Sequence, residues 1–326
     1  MTLRAGMIGG GWITRVHAPA IDATEGVELV AACDVDLVRA EAIAGPRGGR
    51  AYASWEEMYE REQLDVVWVC TPPLHHRAPA VAALAAGIHV YLEKPVARTL
   101  ADAESIVAAA AASDAVCAVG YQWHATELLA DARGALEGQR VGMMVGRNFG
   151  PVSGRPWFVD RAQGGGQLLE RGSHQIDLQR AIAGDIAAVQ ATAGSVRLAQ
   201  ADGPRGNIDD AITLQFHFAN GALGCVHTVW SRDGQPELYA ADILATDATI
   251  ALELGPGRFR ITGRSGGRDL AAEYGEPMHR SIAGFLDAVR AGDPGGVYCT
   301  PADALETLRV AHACERALET GSVVSV

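Results

Sequence analysis

Over the first 120 residues, short apolar runs alternate with stretches whose apolar positions recur every three or four residues. Runs at 3–8, 27–33, 65–70, 88–92 and 115–120 read as buried strands, and 12–23 and 78–86 as helices. Two more helices open at Ser54, which has Glu57 at capping-box spacing, and at Thr99. Gly87 closes the helix before it, as a left-handed cap requires. Strand–helix alternation at this spacing predicts a parallel sheet with right-handed crossovers. From Tyr121 the pattern changes. A helix at 126–137 leads into a strand at 141–148, a loop-like segment at 151–166 and a helix at 167–183. Strict alternation over 212–218 follows, and Asn220-Gly221 reads as a type I′ hairpin turn into a strand at 223–230. Strands at 239–245, 249–254 and 259–262 and helices near 279–291 and 302–320 complete the chain. The expected class is α/β. A doubly wound parallel Rossmann sheet occupies 1–121, and 122–326 form an α+β domain with a large, mostly antiparallel open sheet.

Composition narrows the function. A length of 326 residues suits two domains, and a net charge of −12 argues against a nucleic-acid footprint or a basic membrane patch. No apolar run reaches the roughly 18 residues that span a bilayer. The first strand begins at residue 3, leaving no room for a signal peptide. The six cysteines show neither C-x-x-C nor zinc spacing, so they read as small apolar packing and no metal site is expected. A cytoplasmic protein is the expectation.

Candidate chemistry appears at three places. Gly9-x-Gly11-x-x-Thr14 follows a strand and opens a helix, with Trp12 and Ile13 in the first turn. The first glycine permits the tight turn, and the second lets backbone approach a pyrophosphate at the helix N-terminus. Thr14 departs mildly from the small residue usual at the third position. Asp34 ends the second strand, where a carboxylate accepts both ribose hydroxyls and repels a 2′-phosphate, favouring NAD over NADP. Arg39, one turn later, reads as a solvated helix charge. Second, among 27 basic residues the single lysine is Lys94, in Glu93-Lys94-Pro95 after a strand. Lysine is a point donor whose pKa moves with burial, so it can join proton chemistry where arginine cannot. Third, Glu170, His174 and Asp177 fall at i, i+4 and i+7, one face of a regular helix. Asp177 or Glu170 would orient His174. Trp157, Arg155 and Arg161 could hold a polyhydroxylated ring by stacking and forked hydrogen bonds.

With these parts in order, the chain resembles the glucose-fructose oxidoreductase / inositol dehydrogenase / rhizopine catabolism (Gfo/Idh/MocA) family. The resemblance is carried by residues 7–13, by Cys70-Thr71-Pro72-Pro73-Leu74-His75-His76, by 87–95 with its Glu-Lys-Pro, and by 164–177 with Gly-Gly-Gly and His-x-x-Asp. It implies an NAD(P)-dependent dehydrogenase acting on CH–OH groups of a sugar, cyclitol or related polyol. Lys94 would sit beside the nicotinamide and hydrogen-bond the reacting hydroxyl. His174 would be the acid/base, with the acid at Glu170 helping to hold it. Thr71, Pro72, His76, Glu93 and Gln122 would join the cofactor contacts, and Gln122, Trp123 and His124 would line the nicotinamide pocket. A homodimer or homotetramer through the second sheet is also implied. The chain departs from the family in having Glu170 where aspartate is usual and Pro73 where asparagine is common.

Two other functions share this fold. A redox-neutral glycosidase would keep NAD bound and cycle it. A non-catalytic nucleotide-binding regulatory protein would have no use for Lys94 or the Glu170/His174/Asp177 set.

Overall fold

A computed structural model of the chain describes residues 2–152, 155–195, 207–231, 237–255 and 257–326. The chain divides into two compact units. The first is Met1–Gln122 with Met278–Leu305, and the second is Trp123–Pro277 with Glu306–Val326, so the division falls inside the helix Pro301–Thr320.

The first unit holds six parallel strands, β1 (Leu3–Ile8), β2 (Val27–Cys33), β3 (Arg50–Tyr52), β4 (Val66–Val69), β5 (His89–Leu92) and β6 (Cys117–Val119), ordered β3-β2-β1-β4-β5-β6. This is the doubly wound order, in which the chain reverses direction across the sheet beside β1. Helices Trp12–Asp22, Arg77–Ala85 and Leu100–Ala111 lie where the apolar periodicity put them. Ser54 accepts from the Glu57 amide and Thr99 from the Asp102 amide, as their cap positions predict. Strand β3 and the helix Leu37–Ala44, capped by Asp36, are too short, at three and eight residues, to register as periodic runs. Phe285, on the helix Pro277–Ala291, packs edge-on against Trp68 and Tyr91, and Ser281 bonds the Tyr91 hydroxyl at 2.9 Å. Burying these large rings under the sheet explains why a late segment of the chain belongs to the first unit.

The second unit is built on nine strands, β7 (Val141–Pro151), β8 (Ile186–Gly194), β9 (Ala211–Phe218), β10 (Leu223–Ser231), β11 (Leu238–Ala245), β12 (Ala248–Leu254), β13 (Phe259–Ser265), β14 (Arg268–Tyr274) and β15 (Val324–Ser325). Their order is β14-β13-β12-β11-β7-β10-β9-β8-β15, antiparallel throughout except for the central β7–β10 pair. The hairpin from β9 to β10 forms where alternation predicts it, but its turn is not type I′. No residue other than glycine has positive φ among the described residues, so Asn220 does not. Phe218 and Ala222 close a three-residue loop in which only Gly221, at φ +88°, is left-handed. Asn220 instead accepts from the Ala222 amide and donates to the Ala183 carbonyl, tying the turn to a helix end.

Glycine on the central strands lets a helix lie close to this sheet. A Cβ at Gly146 would stand 2.3 Å from Gln175 Oε1, and one at Gly224 2.3 Å from Gln179 Oε1. Gln175 donates to Asn148 and to the Ala240 carbonyl, and Gln179 to the Cys225 carbonyl. Helix and sheet are therefore joined by buried amides that need the missing side chains to fit. All six cysteines are free, and burial raises the Cys33 and Cys117 thiols to about 12, in keeping with a packing role. Among the described residues no helix is long and apolar enough to cross a membrane.

Candidate active site

In the first unit the chemistry gathers at the carboxyl ends of β1, β2, β4 and β5. Gly9, at φ +95°, lies so close to β4 that a Cβ would sit 2.8 Å from the Cys70 carbonyl oxygen. Its own amide bonds the Cys33 carbonyl, and the next amide, Gly10 N–H, donates to Asp34 Oδ2 at 2.7 Å. Asp34 Oδ1 accepts from the Asp36 amide at 2.9 Å. The ends of β1 and β2 are thus joined with the carboxylate facing the glycine turn. Space beside Gly11, at the mouth of the helix Trp12–Asp22, is open to 4 Å around a built Cβ. Trp12 is exposed there, while Ile13 packs on the core. Thr14, fully buried, donates its hydroxyl to the Gly9 carbonyl, so the departure from a small residue is accommodated by a bond that braces the turn.

Arg39 pairs with Asp36 at 3.3 Å, which gives its charge a partner within its own helix. Thr71 Oγ1 is buried with no hydrogen-bond partner among the described residues. An open helix mouth, a fixed acid and a waiting hydroxyl fit a dinucleotide: Gly9–Gly11 for pyrophosphate, Asp34 for ribose, Thr71 as a further donor.

Below Lys94 lies a buried polar pair. His17 Nε2 meets Glu93 Oε1 at 2.7 Å, and Glu93 Oε2 accepts the Lys94 amide at 3.1 Å. Burial alone would raise the Glu93 pKa, but the His17 bond and the neighbouring His17 and Lys94 charges outweigh it and hold the carboxyl below its ordinary range. His76 is fully buried, its Nε2 2.8 Å from the Thr71 carbonyl and its Nδ1 3.3 Å from that of Val96. Burial lowers its pKa, and the neutral ring, with a single N–H, donates to one of these two carbonyls at a time. Pro73 opens a short 3-10 turn that carries the chain to His76.

In the second unit the helix read at 167–183 is not uniform. Leu168–Gly172 is a turn of π-helix, followed by α-helix over Ser173–Ala183. Glu170 lies within this wider turn and His174 in the regular helix after it. His174, 8% exposed, lies against Trp123 with ring centroids 4.8 Å apart and planes 34° from parallel. Tyr239 meets the same indole edge-on at 5.6 Å. The Tyr239 hydroxyl is raised to about 12, first by burial.

Asp177 has one oxygen 2.6 Å from His124 Nε2 and the other bonded by the Thr307 hydroxyl at 3.1 Å. The expected orienter of His174 is therefore committed to His124, which sequence reasoning had placed only as a pocket neighbour. The substrate candidates of the loop form a second group. Arg155 stacks over Phe158 at 4.7 Å, and Trp157 packs beside Phe158. Arg161 pairs with Asp209 at 3.2 Å. This group surrounds a small core of Phe158, Val159, Ile208 and Trp230. Arg171 was not anticipated. It is 9% exposed, bonds Glu237 at 2.9 Å and stands 5.5 Å over the Tyr239 ring. In the sequence it stands among other polar residues, Glu170, Ser173 and His174, and nothing sets it apart.

Residues 3–121 match the model of an oxidoreductase family with an NAD-binding Rossmann fold, and 137–267 match the GFO/IDH/MocA C-terminal domain. Levoglucosan dehydrogenase of Pseudarthrobacter phenanthrenivorans is 26% identical over 76% of this chain and 73% of its own length. Myo-inositol 2-dehydrogenase of Thermotoga maritima is 24% identical over 97% and 96%. A solved levoglucosan dehydrogenase, complexed with NADH and L-sorbose, superposes with a TM-score of 0.87 at 22% identity, covering 100% of this chain and 99% of that one, which shows a common fold. The glycine turn with its fixed aspartate and the two matched regions have one explanation: the chain belongs to the Gfo/Idh/MocA oxidoreductase family, with an NAD-binding Rossmann domain followed by that family's C-terminal domain.

Proposed function

We propose that this NAD-dependent oxidoreductase transfers a hydride between the cofactor and a CH–OH carbon of a sugar, cyclitol or related polyol. The observation that carries the reading is that the family match extends over both regions bearing the candidate chemistry, Lys94 in the first and His174 in the second. Bound NAD⁺ supplies the hydride acceptor. His174 takes the hydroxyl proton as the carbon–hydrogen bond breaks, and Lys94 hydrogen-bonds the alcohol oxygen and stabilises its developing negative charge. The Gly9–Gly11 turn, Trp12, Ile13, Asp34, Thr71, Pro72 and Gln122 hold the cofactor, while Glu93 acts from below by fixing the Lys94 backbone. His76 shapes the Thr71 loop. Asp34, already anchored at the turn, and Arg39, already paired, favour NAD over NADP. Glu170, Trp123, Arg155, Trp157 and Arg161 are assigned to the substrate side.

A second copy of the chain is the partner we assign to the open face of the sheet. Leu244, Met143 and Leu223 stand in register across β11, β7 and β10 on that face, each more than 40% exposed. A row of this kind suits pairing into a homodimer or homotetramer. Light scattering should report an assembly that Met143→Asp weakens.

The deciding experiment is NADH formation by the purified protein with NAD⁺ or NADP⁺ over a panel including levoglucosan, myo-inositol, 1,5-anhydro sugars and D-apiose. NADH on one class establishes the dehydrogenase and its substrate class. Silence across the panel with NAD tightly bound overturns the assignment in favour of a redox-neutral or regulatory role.

A further inference from the structure

The second unit contains a buried polar chain that the proton-transfer assignment does not use. Trp123 and His124 are neighbours in the 3-10 turn Gln122–Ala125. Trp123 presents its indole to His174, and His124 Nε2–H donates to Asp177 Oδ2 at 2.6 Å. Asp177 follows His174 by three residues in the helix Ser173–Ala183. Two successive residues of the turn are therefore fastened to two residues one helical turn apart, the first by ring packing and the second by a charge-assisted hydrogen bond.

The chain continues behind Asp177. The Thr307 hydroxyl donates to Asp177 Oδ1 at 3.1 Å and accepts from Arg180 Nη1 at 2.8 Å. Asp177 is 1% exposed and Thr307 wholly buried, so solvent does not compete for these bonds. A buried carboxylate held by two partners, one of them itself held by Arg180, is rigid, and it transmits that rigidity to whatever it holds. Ring contacts alone give Trp123 direction without a fixed depth, since a tilted stack and an edge contact to Tyr239 are both soft along the ring plane. The His124–Asp177 bond supplies the missing constraint.

We infer that His124 is a positioning residue: by bonding Asp177 it fixes Trp123 against the His174 imidazole and so sets the direction in which His174 exchanges its proton. The inference rests on the reading of His174 as the acid/base. Misplacement of a reacting group by about 1 Å can cost about a hundredfold in rate, so such a constraint has kinetic weight. It also gives Asp177 a role distinct from the one its spacing suggests, since it acts on His174 through two intervening side chains.

The test uses the full-length protein, with histidine labelled at Cε1 and observed by carbon–proton correlation without substrate. The His174 resonance is identified by its loss in His174→Gln. His124→Phe and Asp177→Asn should each move that resonance, as the Trp123 ring current over it changes, and the double variant should move it no further. On whichever panel substrate turns over, kcat of His124→Phe should fall about tenfold or more with KM for NAD⁺ unchanged. His124→Arg, which restores an N–H donor to Asp177, should recover part of the loss. A His174 resonance that stays in place in folded His124→Phe overturns the inference. If His174→Gln keeps full activity, the acid/base reading fails instead, and the resonance still decides whether His124 sets the ring's position.

Discussion

The two units place their chemistry by different physical means. In the first, functional atoms lie at the ends of neighbouring strands, and backbone hydrogen bonding dictates their types. Gly9 must leave room for the Cys70 carbonyl, Gly10 must offer an amide, and Asp34 must receive it. In the second, the candidate residues meet through side chains, where a helix and a 3-10 turn are fastened to each other and to a sheet. Asn148 bonds the Arg171 carbonyl, Gln175 reaches Ala240, and His124 reaches Asp177. A turn with local demands leaves a motif in the sequence. A helix seated on a sheet leaves only scattered amides and glycines, whose purpose appears when the surfaces meet.

The largest test of this contrast is chemical. Lys94→Arg and His174→Gln should each lower kcat about a hundredfold or more, because each removes a contact made in the transition state. NAD affinity, followed by quenching of protein fluorescence, should stay nearly unchanged. Full activity in either variant would remove that residue from the mechanism. Next, Gly9→Ala should cost the first unit about 2 kcal/mol through its left-handed backbone and weaken NAD binding with it. Calorimetry and a cofactor titration measure the two effects. Gly146→Ala should cost the second unit about 1–2 kcal/mol, because the new methyl meets Gln175. It should leave NAD affinity alone, so an equal loss of affinity in both glycine variants would erase the contrast.

The smallest effect is one of pH and belongs to the first unit. Glu93 and His76 both have folded pKa values below their ordinary ones. The unfolded chain therefore binds protons more readily than the folded one, and stability present at neutral pH is lost as pH falls. His76 contributes first, from the ordinary imidazole range downward, and Glu93 follows from the ordinary carboxylate range downward. Urea unfolding at neutral pH and at about pH 4 measures the slope, which Glu93→Gln should flatten at its acid end. An unchanged slope in that variant would show that the His17–Glu93 pair does not govern acid stability.

How much was legible from sequence follows the same division. Strands β1, β2, β4 and β5, their helices, the glycine turn, Asp34 and the isolated Lys94 could be read directly, because a repeating apolar period and a turn that accepts few residue types are local signals. Strand β14 pairs at the edge of a sheet with small and charged residues, so its alternation carries little contrast. The Asn220 turn was misread for the opposite reason: Asn-Gly favours a type I′ turn, yet the Asn220 amide is needed at Ala183 and the loop gains a residue.

By itself the sequence determined the class of fold and the strand–turn–helix that marks an NAD-binding domain, and it singled out Lys94 and His174 as candidates, since each follows from a short motif or from a chemical type that stands out. Tertiary structure alone decided that Asp177 bonds His124, that the segment before His174 winds as a π turn, that Glu93 rests on His17 and that Phe285 completes the first core. Each of those depends on which buried polar or aromatic group lies opposite another. A buried carboxylate takes whatever partner the packing brings within reach, and spacing along one helix does not say which that will be.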